Sequence, residues 1–235
     1  MPDPQYKPYL RLDGYRPATR RVEEEFDLCI SMYDNELTTL AEHHTADGRQ
    51  SFLVLHDASA IYGVPGESQL VALHLARDVE TRTFTLDSAR VPLPSLAQSW
   101  LIQRRCPVKA IDAPDGWGTR PADETTVALE RRLRDHGNRM TLVDSYSGEG
   151  YPTAETRVLL ESRDPRASHP YRLLLEVADL RTGTHTLREG AFETAEAALD
   201  WLEDRSSPLP TPTPTPVRSL PARPAGPASA PDRTR

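Results

Sequence analysis

His56-Asp57 closes a short apolar run, and with His43 or His44 it makes the one set of side chains here that could bind a metal ion or relay a proton. An imidazole next to a carboxylate can act as an oriented base, and a second imidazole could complete a metal site. Neither H-x-x-x-H nor any equivalent spacing accompanies them, so surface or hydrogen-bonded histidines are the competing expectation. His56, Asp57 and His44 are therefore weak catalytic candidates. No metal site and no cofactor is expected. Cys29 and Cys106 lack C-x-x-C spacing and a nearby histidine, which predicts two reduced thiols.

The sequence contains no Walker phosphate loop, no G-x-G-x-x-G and no G-x-S-x-G elbow. Ser147-Gly-Glu-Gly150 reads as a turn between strands. Glu23-Glu24-Glu25 with Asp27 reads as a solvated helix start, where carboxylates suit the dipole. Two features point to recognition. Trp117 sits among the Gly, Pro and Asp residues of 112–118, either as a lid on a joint or as an exposed contact. Arg131, Arg132 and Arg134 form the densest basic cluster, with Glu130 and Asp135 among them.

Charge narrows the partners. Residues 1–205 carry 24 bases and 34 acids, and the whole chain has a formal charge of −7. An acidic body disfavours broad binding to nucleic-acid backbones, which relies on basic surface and counterion release. Only Lys7 and Lys109 among 28 basic residues are lysine, a bias that predicts a high-GC bacterial genome. No run of 18 apolar residues is present, so no membrane partner is expected and the expected location is the cytoplasm.

The elements that must position these groups come in two related sets. Shifted by 101 residues, the stretch 78–104 lies on 179–205 without a gap, and nine of 27 positions are identical, including Asp78/Asp179, Trp100/Trp201 and Arg104/Arg205. Average residue usage predicts about two identities by chance. The shared piece reads as a hairpin followed by a short helix that packs Trp and Leu on a sheet. The expected fold class is α+β, a tandem duplication of an antiparallel-sheet-plus-helix unit of the form α-β-β-β-α. The two sheets either join edge to edge or sit on a linker. The expected boundaries are an extended segment 1–22, a first unit 23–104, a linker 105–122, a second unit 123–205 and a disordered Pro/Thr/Ala-rich tail 206–235.

Within the first unit, the pattern at 23–44 fits one helix, or a strand over 23–33 followed by a helix over 36–44; the second alternative is preferred. Strands are expected at 51–56, 69–77 and 81–86, with a helix at 94–104. The second unit should hold a helix at 124–136, strands at 139–146, 156–163, 171–178 and 184–188, and a helix from Ala195 to Asp204. Alternation places Leu173, Leu175 and Val177 inward, which conflicts with the 101-residue shift. A bulge or a one-residue slip upstream of Asp78 is the expected resolution.

These features predict a non-catalytic interaction or regulatory accessory protein, acting on a protein partner through its sheet surfaces and inter-unit groove. One alternative is a sequence-specific nucleic-acid binder. The stretch Gly183–Glu196 is faintly similar to three-stranded-sheet-plus-helix DNA-binding domains, although Arg172, Arg181 and Arg188 alternate with Glu176, Asp179 and Glu189. A second alternative is an enzyme with its site near His56 and Asp57.

Overall fold

Thr19 and Asp123 open the two units in the same way. Each is extended and turns its side chain onto the chain ahead. Thr19 Oγ1 accepts the Val22 N–H at 3.3 Å, and Asp123 Oδ1 accepts the Thr126 N–H at 2.8 Å. Such caps satisfy N–H groups that a first helical turn leaves without partners. A computed structural model of the chain describes residues 8–30, 36–62, 64–112, 118–135 and 139–212.

The first unit runs β1 (Arg16–Pro17), α1 (Arg20–Cys29), β2 (Leu37–His44), β3 (Gln50–Asp57), β4 (Leu70–Asp78), β5 (Thr83–Val91) and α2 (Pro94–Gln103). The second runs β6 (Arg120–Pro121), α3 (Glu124–Arg134), β7 (Met140–Gly148), β8 (Thr153–Ser162), β9 (Tyr171–Asp179), β10 (Thr184–Phe192) and α4 (Ala195–Glu203). Each set forms a five-stranded sheet, in the orders β1-β5-β4-β3-β2 and β6-β10-β9-β8-β7. The long strands are antiparallel. The two-residue strands pair in parallel with β5 and β10.

The likeness extends to detail. β4 pairs β5 from Leu70↔Val91 to Asp78↔Thr83, and β9 pairs β10 from Tyr171↔Phe192 to Thr184↔Asp179. Asp78 and Asp179 each accept two backbone N–H groups of the tight turn that follows them. The residue with positive φ is Arg82 in one turn and Gly183 in the other. The first long strand of each sheet is irregular at the same place, between Thr39 and Ala41 and between Leu142 and Asp144.

Helices cover both faces of each sheet. α1 packs Phe26 and Val22 over Leu53, Leu55, Leu73, Leu75 and Phe84, while α2 packs Ala97, Leu101 and Trp100 on Phe52, Val54 and Ala72. In the second unit α3 lays Leu129 and Leu133 over Val158, Leu160, Leu174 and Leu187, and α4 covers Leu159, Leu173 and Phe192. Leu93 and Leu96, at the start of α2, join the α3 cluster. α2 and α3 therefore pack together where the units meet. Trp100 and Trp201 are both partly buried against their sheets, with the guanidinium of Arg104 3.3 Å and that of Arg205 5.7 Å from the ring centroids.

Several expectations change. Residues 20–29 are helix and 37–44 are strand, the reverse of the preferred order, and the helix begins inside the segment 1–22 that was expected to be extended. The cap at Thr19 and Glu23 in the first turn favour helix there. Leu37 and Leu40, whose three-residue spacing mimics a helical stripe, lie on opposite faces of β2, and helices bury both: Leu37 faces the α1 side and Leu40 the α2 side. Each unit thus has four long strands, where the expected α-β-β-β-α form has three. No slip separates β4 from β9. Helices bury both faces, so Leu173 and Leu174 are both inside and alternation is no guide to the register.

The sheets do not share a ladder. Beyond the α2–α3 contact, Ser147 N–H donates to Gly66 O at 2.9 Å, and the Ser68 and Ser145 hydroxyls lie 3.1 Å apart. At the start of the expected tail, residues 206–210 dock on the second sheet. Ala191 N–H donates to Pro210 O at 2.9 Å, Trp201 Nε1–H donates to Ser207 O at 3.1 Å, and Leu209 packs with Phe192. The rest of the expected tail, 213–235, lies outside the described residues.

Candidate functional site

A cleft of about 770 Å³ opens where the units meet. Residues of α3, the start of α2, the ends of β3 and β4, the β7–β8 turn and the α3-facing side of the second sheet line it. Clefts of this size with a few convergent polar groups are the usual form of a small-molecule site.

The polar groups gather on the second sheet. His185 on β10 is nearly buried. Its Nε2 lies 2.8 Å from Glu130 Oε1 on α3, and its Nδ1 faces Thr119, 3.0 Å from Oγ1 and 3.1 Å from the carbonyl. Glu176, on the neighbouring strand β9, brings Oε2 to 3.9 Å from the same Nε2. Burial opposes a charge on His185. The hydrogen bond to Glu130 and the two carboxylates outweigh it, holding the group above the ordinary histidine range. Burial pushes the Glu176 carboxyl up; His185 pulls it down and Glu130 adds to the upward shift. As an imidazolium, His185 donates from both nitrogens, to Glu130 and to the Thr119 carbonyl. It is then a fixed cation, without a lone pair for base catalysis.

The first unit fills the corresponding positions with carbon. By cap, strand register and turn, Glu130 corresponds to Phe26, His185 to Phe84 and Glu176 to Leu75. Phe26 and Phe84 meet edge to face at 5.5 Å, and Leu75 is fully buried with them. An apolar helix–sheet contact in one unit is thus a polar triad in the other, and all three of its members line the cleft.

Elsewhere on the walls, His56 Nε2 is 3.3 Å from Gln69 Oε1, and Gln69 Nε2 donates to Glu149 Oε1 at 3.3 Å, linking the two units. Arg134 Nη1 lies 3.5 Å from Asp112. Arg131 is exposed on the cleft wall and makes no side-chain hydrogen bond or ion pair among the described residues. Ser95 in the first turn of α2 is 5% exposed. Its hydroxyl makes no hydrogen bond among the described residues.

The sequence candidates separate. His56 lines the cleft, but Asp57 is buried, accepts from Ser59 N–H and Oγ–H, and pairs with Arg90. Those bonds hold its carboxyl below the ordinary range against the opposing effect of burial. His44 pairs across the ladder with Ser51, at the far end of β3 from His56, so the three do not assemble. Arg131 and Arg134 reach the cleft, whereas Arg132 turns away to Glu189. Trp117 lies outside the described residues. Both cysteines are free, and they sit on opposite faces of the first sheet. No cluster of metal-ligating side chains occurs among the described residues, and no helix there is long and apolar enough to cross a membrane.

Sequence reading missed His185, Glu176 and Glu130 as a site. The signal was present in the repeat: the same 101-residue shift sets His185 on Phe84 and Glu176 on Leu75. Compared with protein-family models, curated proteins and solved structures, the chain matches none of them.

Proposed function

We propose that this chain is a non-catalytic binding protein built from two copies of one ancestral unit, and that it acts through the cleft between them. The order of elements, the hairpin register, the aspartate turn and the bulge in the first long strand all recur, which supports descent by tandem duplication. The matching order of elements starts in each unit with a small parallel strand, at Arg16 and at Arg120.

One observation carries the binding role: the Phe26, Phe84 and Leu75 contact of the first unit is exchanged for Glu130, His185 and Glu176 at the cleft. Burying charge costs free energy unless it is paired. A polar group standing where its counterpart packs carbon supports a site that serves binding rather than stability.

The alternatives have less support. A nucleic-acid binder needs free arginines on one face. Here Arg90, Arg104, Arg132, Arg188 and Arg205 are paired with Asp57, Asp87, Glu189, Asp123 and Glu155. An enzyme centred on His56 and Asp57 lacks a usable carboxylate, since Arg90 and Ser59 occupy it.

Fragment screening by NMR tests the reading. Bound fragments should shift the resonances of Thr119, His185 and Glu176. The variant Glu130→Phe, His185→Phe, Glu176→Leu should lose them while keeping its strand content. Fragments that bind that variant equally well, or that avoid these three residues altogether, would sink the proposal.

A further inference from the structure

We propose that the cleft takes a small zwitterion, with its protonated amine at Glu176 and its acidic end at the first turn of α2. This rests on the reading of the cleft as a binding site. Two of the cleft's acids are already matched: Glu130 by His185 and Asp112 by Arg134. Glu176 is not. Its side chain is only 20% exposed, it makes no hydrogen bond among the described residues, and its one ionic neighbour is at 3.9 Å. A buried carboxylate left without donors is costly, and an ammonium supplies three donors together with the opposite charge. Glu149, at the mouth, accepts only the neutral amide of Gln69 and adds to the negative field.

An independent feature marks the other end. Leu93 precedes α2 and gives it no side-chain cap, while the Leu96 and Ala97 N–H groups donate to the Leu93 carbonyl at 3.1 and 3.2 Å. Pro94 has no N–H. The donors are therefore the Ser95 N–H and the Ser95 hydroxyl, which belongs to a residue only 5% exposed and has no partner among the described residues. The positive end of the helix dipole favours an anion there, and Arg131 on the same cleft adds positive charge. Leu70, Val127 and Leu180 supply apolar wall for a short carbon chain between the two ends.

The test is calorimetry on the full chain with a series of linear ω-amino acids of graded length, each beside its N-acetyl derivative. One length should bind at least about tenfold more tightly than its acetylated partner, a difference of about 1.4 kcal/mol. Glu176→Gln, which keeps the shape, should abolish that preference, and Ser95→Ala should weaken binding by a few-fold. Equal affinity for the acetylated forms, or an unchanged preference in Glu176→Gln, overturns the assignment. If the acetylated forms bind with shifts at Thr119 and His185, the cleft remains a site and only its ligand class is wrong. If no member of the series binds, the assignment also falls. If, in addition, fragments leave those resonances unmoved, the binding reading falls with it.

Discussion

Nε2 of His185 lies 2.8 Å from Oε1 of Glu130, at the positions where the first unit sets the ring of Phe84 5.5 Å from that of Phe26. One helix–sheet contact thus has two chemistries in one chain. The apolar version buries surface and stabilises. The polar version opens on a cleft and leaves Glu176 unsatisfied beside it.

His185→Phe should destabilise the chain by about 2 kcal/mol near pH 6, because Glu130 and Glu176 lose their shared cation. His185 is held above its ordinary range. Its contribution is therefore complete below the unfolded histidine value of about 6.5 and fades as pH rises through the higher folded value. Urea unfolding of both proteins between pH 6 and 9 checks this. The gap between them should shrink with rising pH, and a widening gap would contradict the pairing.

Arg77 is buried on β4 without a carboxylate partner among the described residues. Its guanidinium donates to the carbonyls of Leu10, Arg11 and Gly48 and to Ser51 Oγ, tying residues 10–12 to the sheet. Arg77→Met removes these bonds and should cost about 2–3 kcal/mol. Amide exchange within residues 8–15 should rise more than exchange in β8–β10. Uniform acceleration would show that Arg77 does not anchor that segment.

Residues 206–210 behave as part of the second unit. A chain ending at Arg205 loses the Leu209 contact with Phe192 and the bonds to Ser207 and Pro210. Thermal unfolding should show it about 1–3 kcal/mol less stable than a chain ending at Pro212. Equal stability of the two would mean that the docked segment contributes nothing.

Cys106 is 3% exposed, and burial pushes its thiol up to about 12. It should resist alkylation at pH 8 in the folded protein and react at once in denaturant, since the thiolate is the nucleophile. Mass spectrometry of iodoacetamide-treated protein reads this directly. Rapid native labelling at Cys106 would contradict the packing of α2.

Much of the fold was legible because local chemistry agreed with the final structure. Asp123 and Thr194 sit where helices need caps, Pro94 sits at a first helical turn, and Asp179 to Gly183 closes a hairpin. β2 was misread because both its faces are buried, so Leu37 and Leu40, on opposite faces, fall at a helical spacing. The β4 and β9 faces were misread because helices bury both sides of each sheet, which removes the period of two. The cleft was illegible residue by residue. His185, Glu130 and Glu176 lie on three separate elements, and only the comparison of one unit with the other singles them out.

Replacing Glu176 by leucine, the residue found at the corresponding position of the first unit, tests the central claim most directly. If Glu176 serves a ligand rather than the fold, Glu176→Leu should raise the unfolding free energy at pH 8 by about 1 kcal/mol and abolish binding in the cleft. A variant that is less stable than the native chain, or that still binds the same fragments, would contradict the account.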